Sequence, residues 1–140
     1  NGPRTGVAMK APLKVESLMS TALVTVRDSD TVGAANLEMK LGAMRHVPVV
    51  DDKHNLVGVL SSRDLIAALA AGHKKERVGA HMSRKLITVT PETYIYQAID
   101  LLLEHRFGSL PVVGSDGQLV GIVTETDFLQ ATRDLFAPDR

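Results

Sequence analysis

The sequence predicts an α+β fold: two copies of one β-α-β-β-α unit packed together with pseudo-two-fold symmetry. Three observations lead there. The chain matches itself without a gap at an offset of 63 positions. Met19-Ser20 falls on Met82-Ser83, Thr25-Val26 on Thr88-Val89, Pro48-Val49-Val50 on Pro111-Val112-Val113, and Leu56-Val57-Gly58 on Leu119-Val120-Gly121. A long register without insertions is the mark of a repeated supersecondary unit. Within each copy, short apolar runs alternate with segments of helical period. Each copy is also shorter than 60 residues, too small to bury a robust core alone. Its helices carry more apolar surface than three strands cover, so two copies should share a core.

Each copy opens on an apolar strand, Leu23 to Val26 or Leu86 to Val89. A helix follows. In the first copy Asp30 is the expected N-cap, with apolar residues at Val32, Ala35, Leu37, Met39 and Leu41. In the second, Thr93 takes the cap position, and Ile95, Ala98, Ile99, Leu102 and Leu103 form the stripe. Gly42 and Gly108 are expected to end these helices. A strand comes next, His46 to Val50 or Ser109 to Val113, then a turn rich in Asp, Asn and Gly, and a second strand, Leu56 to Leu60 or Leu119 to Val123. The two should pair as a hairpin. The last helix spans Arg63 to Ala71 or Glu125 to Phe136. Residues 1–10 are read as a flexible N-terminal segment, either a cloning scar or the end of a leader. Residues 11–73 are read as the first repeat and 74–140 as the second. The polar stretch from Gly72 to Arg77 is the joint.

Composition narrows the classes. Sixteen Lys and Arg balance sixteen Asp and Glu, for a formal net charge of zero. That argues against a protein built to neutralise phosphate backbones, and leaves self-association unopposed by long-range repulsion. There is no Cys, hence no disulfide, thiol nucleophile or Cys-type zinc site. This suits a reducing, cytoplasmic setting. No apolar run is long enough to span a bilayer, and no signal-peptide pattern opens the chain. The five His have no H-x-x-x-H spacing, so no metal site is expected. No Walker A loop, G-x-G-x-x-G or G-x-S-x-G occurs. The Lys74-Lys75-Glu76-Arg77 joint is read as solvated rather than as a nucleic-acid contact.

The most informative motif closes each copy. Gly58-Val59-Leu60-Ser61-Ser62-Arg63-Asp64-Leu65 matches Gly121-Ile122-Val123-Thr124-Glu125-Thr126-Asp127-Phe128. A hydroxyl three residues before an acid is a helix-capping arrangement, and capping alone accounts for much of the pattern. Placed where a strand turns into a helix, the same residues suit a ligand. A carboxylate accepts two hydrogen bonds from a vicinal diol, and a helix N-terminus favours phosphate. Gly58 and Gly121 inside strands imply close approach by a ligand or by the other copy. Pro48 and Pro111 point to sheet edges. The backbone of Val47 and Leu110 should then be unpaired on one side and open to a flat base.

Both copies resemble CBS domains, and the chain from about Val15 to Asp134 resembles a tandem CBS pair. The resemblance rests on Met19-Ser20 and Met82-Ser83, the strands ending in Thr-Val, the apolar-Pro-Val-Val strands, and the Gly-apolar-apolar-Ser/Thr-x-x-Asp close. It implies a regulatory module, not an enzyme, that binds AMP, ADP, ATP, S-adenosylmethionine or a dinucleotide in clefts between the copies. It implies that Asp64 and Asp127 hold ribose hydroxyls, and that Ser61 and Thr124 contact ribose or phosphate. The base would lie against backbone from Thr21 to Val24 (Ala22 and Val24 included) with Val47, and from Arg84 to Ile87 with Leu110. Lys85, Arg84, His105 and Arg106 could meet phosphate beside copy two, with Ser109 next to them. Arg45, His46 and Arg63 could do so beside copy one. No cofactor is required, and Mg²⁺ would enter only with ATP. Copy one departs from the family pattern with Asp28 where copy two has Pro91, with Ser61 for Thr124, and with Gly33 and Asn36 in its helix. Copy two is therefore expected to carry the better site.

Two other readings stand beside this one: a ligand-free dimerisation module, and a piece of a larger regulated enzyme or transporter. Under the sensor reading the chain is a homodimer that signals to an unidentified effector protein. Neither nucleic acid nor a membrane span is involved.

Overall fold

The computed structural model describes residues 13–42 and 44–139. The segment expected to be flexible, residues 1–10, lies outside them. The elements are β1 (Val26–Arg27), α1 (Val32–Gly42), β2 (His46–Val50), β3 (Leu56–Ser61), α2 (Ser62–Ala70), α3 (Ile95–His105), β4 (Ser109–Val113), β5 (Leu119–Thr124) and α4 (Glu125–Phe136). The two hairpins repeat each other at the 63-residue offset. Val47 pairs with Leu60 and Val49 with Gly58; Leu110 pairs with Val123 and Val112 with Gly121. An irregularity falls at the same place in both.

The expected opening strands are cut short. In the first copy only Val26–Arg27 is strand, parallel to Val49–Val50. In the second, Val89 alone bridges Val112. Among the described residues, those before them have no sheet partner; Ala22 to Val24 and Lys85 to Ile87 line the inter-copy clefts instead. Pro48 is not at an edge: β2 is the central strand of the order β1-β2-β3. The proline is tolerated because its missing N–H is not needed there. The neighbouring segment uses the carbonyl, as Val89 N–H does in donating to Pro111 O at 3.0 Å.

Three helix ends differ from expectation. Thr31, not Asp30, caps α1, its Oγ1 accepting from Ala34 N–H, while the Asp30 carboxylate accepts from Arg27 N–H in the preceding turn. Tyr94 precedes α3 as N-cap, and Gln97 Oε1 accepts from its N–H. Thr93 Oγ1 accepts from Thr90 N–H instead. Arg106, not Gly108, ends α3 in the left-handed conformation (φ 56°). Of the expected stripes, Val32, Ala35, Met39, Ala98 and Leu102 are buried, whereas Leu37, Leu41 and Leu103 are exposed.

The cores cross the repeat boundary. Val78 and Met82, which begin the second copy, pack into the core of the first with Val26, Val32, Leu60 and Leu65. Val15, which begins the first, packs into the core of the second with Val89, Ala98, Leu110 and Phe128. The bonds that seat them are reciprocal. Val15 N–H donates to Thr93 O (2.8 Å) and Val78 N–H to Asp30 O (2.7 Å). Each copy thus lends its first turn to the other.

Candidate functional site

The exchange continues into the sheets. Ser83 forms an antiparallel bridge to Val59 of β3, and Ser20 to Ile122 of β5. This explains the two strand glycines, and the close neighbour is the other copy. A Cβ at Gly58 would lie 2.6 Å from Met82 Sδ and 2.8 Å from Ser83 O. One at Gly121 would lie 2.9 Å from Met19 Sδ and 3.0 Å from Ser20 O. Beyond each bridge the lent segment runs past the hairpin and walls a cleft against the other copy's closing turn.

The larger cleft, about 520 Å³, combines Ser61, Ser62, Arg63 and Asp64 of copy one with Ser83, Lys85, Leu86, Ile87, Arg106, Ser109 and Pro111 of copy two. The smaller, about 350 Å³, combines Ala22, Leu23, Val24 and Pro48 of copy one with Ile122, Thr124, Glu125 and Thr126 of copy two. Arg45, His46, Gly108 and Glu125 line both. Each cleft is therefore mixed. The closing motif of one copy faces the opening segment of the other, and of the differences that favoured copy two only Ser61 and Thr124 line a cleft, Ser61 the larger and Thr124 the smaller.

The two acids of the motif differ. Asp127 is absorbed into its own cap: Oδ2 accepts from Thr124 N–H (2.8 Å) and lies 3.2 Å from Thr124 Oγ1, while Asp127 N–H donates back to that Oγ1 (3.4 Å). It lines neither cleft. At Asp64 only the backbone takes part, its N–H donating to Ser61 Oγ at 3.1 Å. Among the described residues its carboxylate forms no hydrogen bond, and Asp64 lines the larger cleft.

Val47 and Leu110 are fully buried core residues, and their backbones are not the open ones. Val59 exchanges both its backbone bonds with Ser83, and Ser62 N–H donates to Arg45 O. By the alternation of an antiparallel ladder, Val47 then faces Leu60, and His46 is the residue whose N–H and C=O point off the hairpin. Ser109 occupies the same position in copy two. The open backbone thus belongs one residue earlier than the proline pattern suggested. Arg84 lines neither cleft; its guanidinium donates to Gly79 O at 3.2 Å. His105 stacks on Phe107 with ring centroids 5.8 Å apart and lines neither cleft.

Sequence reasoning misses Glu125, although it lines both clefts. Its position, the first after the motif hydroxyl, is the available signal. His46 sits at the partition between the clefts, its ring occupying the place a Gly108 Cβ would take, with Cε1 at 2.6 Å. Burial pushes its pKa below 6.5, the largest influence. Glu125 opposes the shift, Arg45 adds to it and Asp64 opposes it.

These two mixed clefts between paired repeats are the architecture of a tandem CBS pair. A family model of the CBS domain matches residues 15–71 and 78–134, and the chain belongs to that family. It is 30% identical over 87% of its length to an uncharacterised 17.7 kDa protein of Acidianus ambivalens, spanning 74% of that protein. It is 34% identical over 95% of its length to the magnesium transporter MgtE of Thermus thermophilus, but spans only 32% of it. Among solved structures, the CBS-pair protein CBSX2 of Arabidopsis thaliana is similar. In its complex with AMP it aligns at TM-score 0.78 and 31% identity, over 89% of this chain and 99% of that one. The cytosolic domain of MgtE in complex with ATP aligns at TM-score 0.74 and 35% identity, over 84% of this chain and 48% of that one.

Proposed function

We propose that this chain is a sensor that binds an adenosine-type ligand (AMP, ADP or ATP) in the larger of the two clefts. The observation that carries the reading is the Asp64 carboxylate, which belongs to the lining of that cleft and is not used by its own cap. It accepts both hydroxyls of a ribose. The phosphate lies at the N-terminus of α2 beside Ser61, with Lys85, Arg106, Arg63 and Arg45 as counter-charges. The base stacks among Leu86, Ile87 and Pro111 and meets the open backbone of Ser109. The complexes of CBSX2 with AMP and of MgtE with ATP support the ligand class. The smaller cleft, with Ala22, Val24, His46 and Thr124, is a second and weaker site. Mg²⁺ accompanies ATP only. The ligand acts as a regulator because it favours one packing of the copies over another, and an effector protein in the cytoplasm reads the difference.

The test is titration with AMP, ADP, ATP, S-adenosylmethionine and NAD, followed by heat and by melting. A ligand at about 100 times its Kd adds roughly 2.7 kcal/mol, a Tm rise of roughly 5–15 °C for this length. Asp64→Ala should weaken binding by roughly 10–100-fold, the worth of hydrogen bonds to a charged acceptor. Unchanged affinity in that variant sinks the assignment. Asp127→Ala should instead cost about 1 kcal/mol of stability through its cap and leave this cleft's affinity intact.

A second reading concerns assembly. Leu37, Leu41, Tyr96, Leu103, Leu129 and Phe136 expose large apolar side chains on α1, α3 and α4. With zero net charge to oppose contact, we infer that these helices meet a second copy of the chain.

A further inference from the structure

The joint between the copies brings together three side chains that line neither cleft. His73 follows Gly72, which takes the left-handed conformation after α2 (φ 82°). Glu76 lies in the joint, and His81 follows the short turn Val78–Ala80. His73 Nε2 stands 3.4 Å from Glu76 Oε2, and His81 Nε2 stands 3.0 Å from Glu76 Oε1. The two imidazole centroids are 5.2 Å apart, and one ligating atom from each residue lies within 4.8 Å of the others. Zinc at bond lengths of about 2.0–2.1 Å holds tetrahedral ligand atoms roughly 3.3 Å from each other. The two imidazole-to-carboxylate spacings, each to a different Glu76 oxygen, are close to that value, and the three-atom set, within 4.8 Å, draws in when one metal takes all three.

We propose that His73, Glu76 and His81 form a binding site for a divalent transition metal of the zinc class. Two imidazoles and one carboxylate supply three ligands and leave the fourth position to water. The donor set excludes the hard cations as natural occupants. Ca²⁺ and Mg²⁺ require mostly oxygen ligands, and only one carboxylate is present. Lys74, Lys75 and Arg77 flank the cluster in sequence. Their charge lowers the affinity for any dication, so a metal is held here through inner-sphere bonds to two imidazoles and the carboxylate rather than by the local field.

The backbone that carries the three ligands is fixed by main-chain hydrogen bonds before any metal arrives. His73 N–H donates to Ala68 O, Glu76 N–H to His73 O and His81 N–H to Val78 O, all within 3.0 Å. The His73 and His81 side chains are 40% and 17% exposed. His73 Nδ1 is buried without a hydrogen-bond partner among the described residues, so Nε2 is the ring nitrogen that faces the cluster. A bound metal clamps the end of α2 to the turn from which copy two's lent segment departs.

The alternative use of the three residues is a metal-free His-Glu-His network that only steadies the joint. Titration of the whole chain with Zn²⁺, and with Co²⁺ read by its visible ligand-field absorption, separates the two. The expected result is one Zn²⁺ per chain, a Co²⁺ spectrum of four- or five-coordinate type, and a higher Tm with Zn²⁺ that a chelator reverses. His73→Ala and His81→Ala should each weaken Zn²⁺ by at least about tenfold, while His105→Ala leaves it unchanged. Melting of the metal-free variants reports whether they fold. If either does not, Glu76→Gln decides the matter at the most exposed ligand, with the same expected loss. Absence of Zn²⁺ binding by the wild-type chain, or binding that these substitutions leave intact, overturns the site.

Discussion

His46 shows how much one position depends on its surroundings. In sequence it is a histidine before Val-Pro, one of several cations set near a cleft. In the structure it lines both clefts, offers the open backbone of β2 and packs its ring against Gly108. Because burial lowers its folded pKa below 6.5, the unfolded chain binds the proton more readily. The stability that neutral His46 contributes is therefore fully present above about pH 6.5 and is lost as pH falls through the folded value. Between about pH 7.5 and about pH 5.5, Tm should fall further in the wild-type chain than in His46→Gln. Equal falls would show that His46 takes no part. Asp64 and Asp127 make the same point. They are equivalent in the motif, but the carboxylate of one is consumed by its cap and that of the other is left to a cleft. The hydroxyl-x-x-Asp spacing predicts a cap in both cases and cannot tell them apart.

At the scale of elements, β2 to β5, α2 and α4 were legible to within about a residue, because period and turn chemistry are local. The opening strands were not. Leu23 to Thr25 and Leu86 to Thr88 have strand-like composition, yet a strand needs a partner, and among the described residues none pairs with them. Helix ends were misplaced where two polar residues compete, as with Asp30 and Thr31, or where a glycine serves another purpose. Gly108 makes room for His46 rather than ending α3. The strand glycines yield a prediction at this scale. In Gly58→Ala the new methyl meets Met82 Sδ at 2.6 Å and the Ser83 carbonyl at 2.8 Å. The sulfur can move, but the carbonyl belongs to the bridge with Val59. A cost of roughly 1–3 kcal/mol is expected, seen as a Tm lower by about 3–10 °C. It should come with weaker nucleotide binding, because the displaced segment walls the larger cleft. A Tm and affinity equal to wild type would mean that the bridge does not constrain that segment.

For the whole molecule, the exchange of first turns matters most. Val15 completes the core of copy two and Val78 that of copy one, so the repeat seen in sequence is not the packing unit. Neither cleft exists within one copy. The proposed pairing of two chains through the exposed residues of α1, α3 and α4 is tested at this scale. Sedimentation should give a two-chain mass, and Leu103→Glu together with Leu129→Glu should reduce it to one chain with the fold intact. Leu103 and Leu129 are 72% and 68% exposed, so neither substitution buries a charge within the chain. A one-chain mass for the wild type would reject the pairing.

The sequence by itself determined the unit, its duplication, the hairpin registers and the capped closing turns. Each of these is set by neighbours a few residues apart, or by comparison of the chain with itself. Only the tertiary structure decided which copy's carboxylate meets which copy's opening segment, which of two equivalent acids is free, and that His73, Glu76 and His81 converge at the joint. Those outcomes depend on contacts between segments distant in sequence, and side-chain period and spacing carry no record of which distant surface a segment will meet.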